Sequence, residues 1–158
     1  MSTSSLLPFR NQSANPRLRE GYQLVADAAP PVEELNRLRR ACGEGPRRAD
    51  LWQRALERSH GQVAIYNGQG RLTGYLRITS DQALNANLWD LLSDPADPGR
   101  EEIITALLQA ALVRLRRELS GCSISVSAPP EALKALQRAG FSVDPGGIRA
   151  MGLRLHDG

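Results

Sequence analysis

The chain has 158 residues, 41% of them hydrophobic and 23% charged, with a formal net charge of +3, which fits one globular domain with a single core. Aromatic residues make up only 4%, too few for the ring platform on which single-stranded nucleic acid stacks, and no apolar run approaches the roughly 20 residues of a membrane span. The basic side is 19 arginines and the lone lysine Lys134, scattered rather than gathered, so neither a nucleic acid nor a membrane is expected as a partner. The N-terminus lacks the basic start and long apolar stretch of a secretory signal, and the protein is expected to be cytoplasmic. Cys42 and Cys122, with His60 and His156, make neither a disulfide framework nor a metal-ligand set. Both thiols are expected to be free and buried.

Residues 1–20 hold Ser, Asn, Gln, Pro and Arg without an apolar period and are expected to form a flexible leader ahead of one domain over 21–158. Residues 22–26 alternate like a half-buried strand. Pro30 and Pro31 open a helix in which Val32, Leu35, Leu38 and Cys42 fall at helical spacing, and Gly43 stops it. A second helix starts at the cap Asp50 and turns Leu51, Ala55 and Leu56 inward. Strands over 62–66 and 71–80 form a hairpin about Asn67-Gly68-Gln69-Gly70, with Leu72, Gly74, Leu76 and Ile78 on one face of the return strand. A polar loop leads to a strand over 87–92 and a breaker-rich loop. A long helix over 100–118 follows, with Ile103, Leu107, Ala110, Ala111, Val113, Leu115 and Leu119 as its apolar face. Arg114, Arg116 and Arg117 complement its negative end. A strand over 122–126, a short helix over 131–138 capped by Gly140, and a hairpin of 141–143 with 148–155 complete the chain. The order is βααβββαβαββ. Its strand–helix–strand crossover calls for a parallel pair beside an antiparallel hairpin. The fold class is therefore α/β (α+β), a mixed central sheet flanked by about four helices.

Two stretches give this order a family likeness. Leu88-Trp89-Asp90-Leu91-Leu92-Ser93-Asp94-Pro95, followed by a glycine and the long helix, resembles the fourth strand and pyrophosphate loop of the GNAT superfamily of acyl-CoA-dependent N-acyltransferases. Ala132-Leu133-Lys134-Ala135-Leu136-Gln137-Arg138-Ala139-Gly140-Phe141 resembles that family's short helix ending in a Gly-Phe pair. The resemblance spans about 21–155 and implies an N-acetyltransferase that moves an acetyl group from acetyl-CoA to a small-molecule amine or a protein amino group. It places the cofactor where the fourth and fifth strands splay. The backbone of Leu91, Leu92 and Ser93 would hold the pantetheine arm, and Gly99, Arg100, Glu101 and Ile103 would lie at the pyrophosphate. In such an enzyme the amine attacks the thioester directly. A homodimer through the sheet or the C-terminal strands is also implied.

The residues depart from that pattern at two places. In Pro98-Gly99-Arg100-Glu101-Glu102-Ile103-Ile104-Thr105 only Gly99 remains of the family's glycines, and the segment is one residue longer. Glu101 and Glu102 suit a bare helix N-terminus but repel a diphosphate, with Arg100 as a partial offset. Where many members carry a tyrosine four residues before the glycine, to protonate the leaving thiolate, Leu136 stands. Tyr66 and Tyr75 are expected to be packing residues. Asp90 is the first candidate general base, because burial in an apolar strand would raise its pKa. The alternative is a structural acid paired with an arginine or a backbone amide. Asp81 is a weaker candidate, in a loop whose side chains serve either function or their own turn. The departures also define a second reading, a catalytically inactive GNAT-fold binding or regulatory module that has lost acyl-CoA.

Overall fold

The computed structural model describes residues 17–156. Five strands form one sheet in the order β1–β2–β3–β4–β5, namely Gln23–Ala26, Gly61–Tyr66, Leu72–Ser80, Asn85–Ser93 and Ser123–Val126. The first four pair antiparallel, and β5 lies parallel to β4. Four α-helices flank the sheet: α1 Val32–Ala41, α2 Ala49–Glu57, α3 Arg100–Glu118 and α4 Leu133–Arg138. The mixed α/β architecture is the expected one. Most of the leader lies outside the described residues. Of its end, Arg19 donates to the Pro98 carbonyl at 2.8 Å; just beyond the leader, Tyr22 donates to the Asp97 carboxylate at 2.9 Å.

Two cores form because the sheet buries both faces. On one, Val63, Ile65, Leu76, Ile78, Leu88 and Leu91 pack against Ile103, Leu107, Ala111 and Leu115 of α3. On the other, Leu35, Leu38 and Trp52 pack against Ala64, Leu72, Tyr75 and Leu92. Each fully buried leucine or isoleucine contributes roughly 1.5–3 kcal/mol. The irregularity between Ile65 and Tyr66 breaks the hairpin register, and Leu72 joins the second core rather than the face of Leu76 and Ile78.

Helix α3 crosses the sheet over Gly74. A β-carbon there would collide with Ile103 Cγ2 and stand 3.2 Å from Leu107 Cδ1. Ile103 is β-branched and stiff, so the helix would have to lift. Gly74→Ala is expected to cost about 1–3 kcal/mol of stability in urea denaturation. An unchanged midpoint would show that α3 yields freely.

Several local expectations are corrected. Val113 is exposed, and Leu108 and Leu112 take the inward positions on α3. Asp50 lies inside the first turn of α2 and pairs with the Arg48 side chain at 2.9 Å instead of capping. Leu51 is exposed, and Trp52 is the buried anchor of α2. The thiols of Cys42 and Cys122 are free but only half-buried. The terminal hairpin does not form. Past Gly140, whose φ of +101° closes α4, the chain makes a single 3-10 turn, Pro145–Gly147, and residues 148–156 pair with no described strand. Alternation supplies two faces but not a neighbour, and a strand without hydrogen-bonded neighbours is not stable.

Candidate active site

The fourth and fifth strands part company. Their parallel register runs from Asn85 with Ser123 to Leu88 with Val126 and stops. Strand β4 continues through residues 89–93 paired only with β3, while β5 turns away at Ser127 toward the prolines before α4. A cavity of about 490 Å³ lies against the paired ends, walled by Leu88, Trp89, Val126, Leu136 and Phe141. Its polar lining includes Asn87, Ser125, Ser127, Gln137 and Ser142. Ser125 Oγ donates to Asn87 Oδ1. Asp144, the carboxylate on its border, is held by Arg149 at 2.8 Å. A mainly apolar slot with a few placed hydroxyls and amides suits an uncharged thioester-bearing arm. Leu136 lines it as a hydrocarbon, with no proton to give.

Strand β4 bulges beside the parting. One β3 residue, Leu76, stands opposite Asp90 and Leu91, and Asp90 takes a φ of +53°. Asp90 therefore turns to the α1–α2 face, away from the cavity. Its side chain is 6% exposed and meets three guanidiniums: Arg47 at 2.8 Å, Arg77 at 3.0 Å and Arg39 at 3.5 Å. Burial pushes the carboxyl up, but the hydrogen bonds and charges of Arg47 and Arg77 more than reverse it, leaving it below its ordinary value. The expectation of a raised pKa is corrected, and the arginine-paired alternative describes this side chain. A carboxylate held ionised by three arginines is a poor proton acceptor near neutrality. Arg47 is itself fixed. Asn36 bonds its backbone N–H and C=O, and its guanidinium lies 4.6 Å over the Trp52 ring.

The other singled-out residues are placed as follows. Leu91 and Ile103 put their side chains into the α3-side core and Leu92 into the opposite one, so only their backbones can serve a ligand. Ser93 is buried, its hydroxyl accepts from Arg100 Nε at 3.0 Å, and its carbonyl accepts from the Cys42 thiol at 3.3 Å. Burial pushes that thiol up. The N–H of Gly99 is taken by Asp97 Oδ1 at 2.7 Å and that of Arg100 by the Asp97 carbonyl at 3.2 Å. Arg100 also reaches Glu131 at 2.7 Å, and Glu101 meets Arg138 at 3.1 Å. Ser93, Arg100 and Glu101 thus share one end of β4 and the start of α3, and Asp90 does not join them. Asp81 serves its own loop: Oδ1 accepts from the N–H groups of Ala83, Leu84 and Asn85, and these bonds hold its carboxyl below the ordinary value. Tyr75 is fully buried, donates to Gln62 at 2.8 Å and meets Trp52 edge-on, and burial pushes its phenol well up. His60 sits between α2 and β2 and pairs with Glu118 of α3 at 2.9 Å. Sequence reasoning did not identify which arginines, or how many, meet Asp90, nor the Arg100–Glu131 contact. The one signal for the former was an acid inside an apolar strand of an arginine-rich chain.

An antiparallel meander, a crossover helix and a parallel fifth strand that parts from the fourth beside an apolar cavity define the GNAT acyltransferase fold. A probable acetyltransferase from methicillin-resistant Staphylococcus aureus superposes with a TM-score of 0.74 over 85% of this chain and 99% of that one, at 17% identity. A GNAT-family acetyltransferase from Streptococcus pneumoniae superposes with a TM-score of 0.65 over 85% and 98%, at 14% identity. In sequence the chain is similar to the histone acetyltransferase TAP1 of Glycine max, 35% identical over 61% of this chain and 40% of that protein. It is also similar to the probable acetyltransferase TAP2 of the same plant, 32% identical over 82% of this chain and 50% of that protein. Serotonin N-acetyltransferase 2, chloroplastic, of Oryza sativa is 29% identical over 76% of this chain and 60% of that protein. The chain spans about half the length of the first two. No protein-family model matches it. The resemblance to the GNAT superfamily is borne out in fold and in sequence relatives.

Proposed function

We propose that this chain is an acyltransferase that moves the acetyl group of acetyl-CoA to an amine. The observation that carries the reading is the parting of β4 and β5 after Leu88 and Val126, which opens β4 beside an apolar cavity of about 490 Å³. The residues present suit the cofactor in two places: the cavity accepts the pantetheine arm, and the cations at the start of α3 accept phosphate. Bound acetyl-CoA supplies the thioester carbonyl that the amine attacks. The backbone of β4 over residues 89–93 positions that carbonyl, and Leu88, Val126 and Phe141 exclude water from it. With Asp90 committed to its arginines and Asp144 to Arg149, the amine loses its proton to water along the polar lining. With Leu136 in the tyrosine position, a lining hydroxyl such as Ser127 or Ser142, or a water beside it, would supply the proton for the leaving sulfur. The relatives' names motivate two acceptor classes, lysines of a histone-like peptide and arylalkylamines such as serotonin. A cytoplasmic location belongs to the same proposal.

Titration calorimetry of the full chain with acetyl-CoA at low salt tests the reading. A dissociation constant of roughly 1–100 μM is expected, followed by acetyl transfer to at least one amine of a panel holding both classes. No heat at millimolar acetyl-CoA would sink it.

A further inference from the structure

Of the aromatic rings among the described residues, Trp89 alone stands exposed, at 41%. It is nevertheless fixed. Its indole Nε1 donates to the Thr79 hydroxyl of β3 at 2.8 Å, where Arg77 lies opposite Trp89 and Thr79 opposite Asn87. Among the described residues no other ring stacks on it and no guanidinium lies over it. An indole pinned at one edge and uncovered on its face can bind a flat group with little rotamer freedom left to lose.

The ring also has a side. Thr79 alternates along β3 with Tyr75 and Arg77, and Tyr75 packs in the core under α1 and α2. Trp89 therefore walls the cavity from the α1–α2 face. Its other walls, Leu88, Val126 and Leu136, join the α3-side core. A thioester carbonyl held against β4 beyond the parting is thus open to both faces of the sheet. The arm that carries it, with its phosphates at the start of α3, occupies one. An amine aligned for attack needs the other.

That face offers an acceptor an aromatic surface rather than a negative charge. Asp90, next in sequence, is enclosed by Arg39, Arg47 and Arg77. Asp144, on the cavity border, is held by Arg149. No other carboxylate lines the cavity among the described residues. A multiply cationic segment would meet guanidiniums here without a free partner charge, and like charges oppose docking. A flat ring would meet the indole.

Resting on the acyl-CoA reading above, we propose that Trp89 selects the acceptor by stacking on the ring of an arylalkylamine, with Thr79 as the positioning residue that sets the angle of the indole. The stacked ring leaves the short alkyl tether pointing along β4 toward the thioester. Amines without a ring, and lysine-rich peptides, lack that hold.

Steady-state kinetics on the full chain at saturating acetyl-CoA test this with tryptamine, n-hexylamine and a lysine-rich peptide as acceptors. The unmodified chain should show a KM for tryptamine at least about tenfold below that for hexylamine. Trp89→Leu should raise the tryptamine KM about tenfold and move kcat by less than about threefold, with Trp89→Phe recovering most of the loss. Thr79→Val, nearly isosteric, should raise the tryptamine KM about threefold, and Thr79→Ser should restore it. Thermal melting checks folding, and the Thr79 pair stands in if Trp89→Leu does not fold. Calorimetry of tryptamine on the CoA-saturated chain should give the same order of affinities without turnover. Failure to acetylate tryptamine, a lysine-rich peptide used more efficiently than tryptamine, or a tryptamine KM unmoved by these variants would overturn the proposal and leave the acyl-CoA reading intact. So would a loss of acetyl-CoA affinity in Trp89→Leu at constant tryptamine KM, which would put the indole against the cofactor arm. If the unmodified chain binds no acetyl-CoA, both readings fall.

Discussion

Asp90→Asn is expected to lower the unfolding free energy by about 3 kcal/mol, a large fraction of a small domain's stability. Asparagine keeps the size of the side chain and tolerates the positive φ of this bulge position. The substitution thus isolates the charge. Without it, Arg39, Arg47 and Arg77 face one another around a neutral amide in a site where the carboxylate is 6% exposed. Removing one partner of a buried pair costs more than the pair itself contributes, because the remaining charges stay desolvated. Arg47 reaches solvent, with 35% side-chain exposure, which keeps the figure at the low end of that range. Urea denaturation at neutral pH measures it, and a loss below about 1 kcal/mol would show that the arginines relax into water.

The same cluster sets a pH dependence. The folded carboxyl of Asp90 titrates below its ordinary value, so its stabilising contribution is complete above the unfolded carboxylate range, near pH 4. It is lost as the pH falls through the folded value. The asparagine variant should therefore lose less stability than the unmodified chain on acidification, and the two curves should converge at low pH. Parallel curves would contradict the assignment.

Trp52→Ala is expected to cost about 3–5 kcal/mol. The indole is fully buried, donates from Nε1 to Asn36 Oδ1 at 3.0 Å, meets Tyr75 edge-on at 6.2 Å and supports the Arg47 guanidinium at 4.6 Å. Asn36 is the same side chain that fixes the Arg47 backbone. Trp52 and Asp90 therefore act through a shared partner, and their effects should not add. A double-mutant cycle between Trp52→Phe and Asp90→Asn should give a coupling of at least about 0.5 kcal/mol. Strict additivity would mean that the indole packs without positioning Arg47.

Much of the fold was readable residue by residue. Helix α3 occupies Arg100–Glu118, as its flanking Pro98-Gly99 and Gly121 demand. The direction in which it faces was less readable, because a helix with apolar residues on more than half its turn does not choose its own inner face. The sheet chose it, burying Leu108 and Leu112 and leaving Val113 outside. In α2 Leu56 packs against the core as expected, but Leu51 is exposed and Trp52 is the buried anchor, its ring filling the space against Tyr75.

The site divides the same way. The parting of the fourth and fifth strands was implied by the family resemblance, as was the significance of Leu136, which stands where many members carry a tyrosine. That Asp90 is a charge hub did not follow, because its partners lie 13, 43 and 51 positions away and no local rule links such separations.

By itself the sequence determined the elements as far as α4, their order and the crossover, and therefore a mixed α/β fold, since periodicity, caps and turn residues act over a few neighbouring positions. Only the tertiary structure decided which faces are buried, which arginines meet Asp90, how Arg100 spans to Glu131, and that residues 148–156 remain outside the sheet. Those outcomes depend on groups distant along the chain meeting in space, where burial and charge act on whatever the fold has brought together.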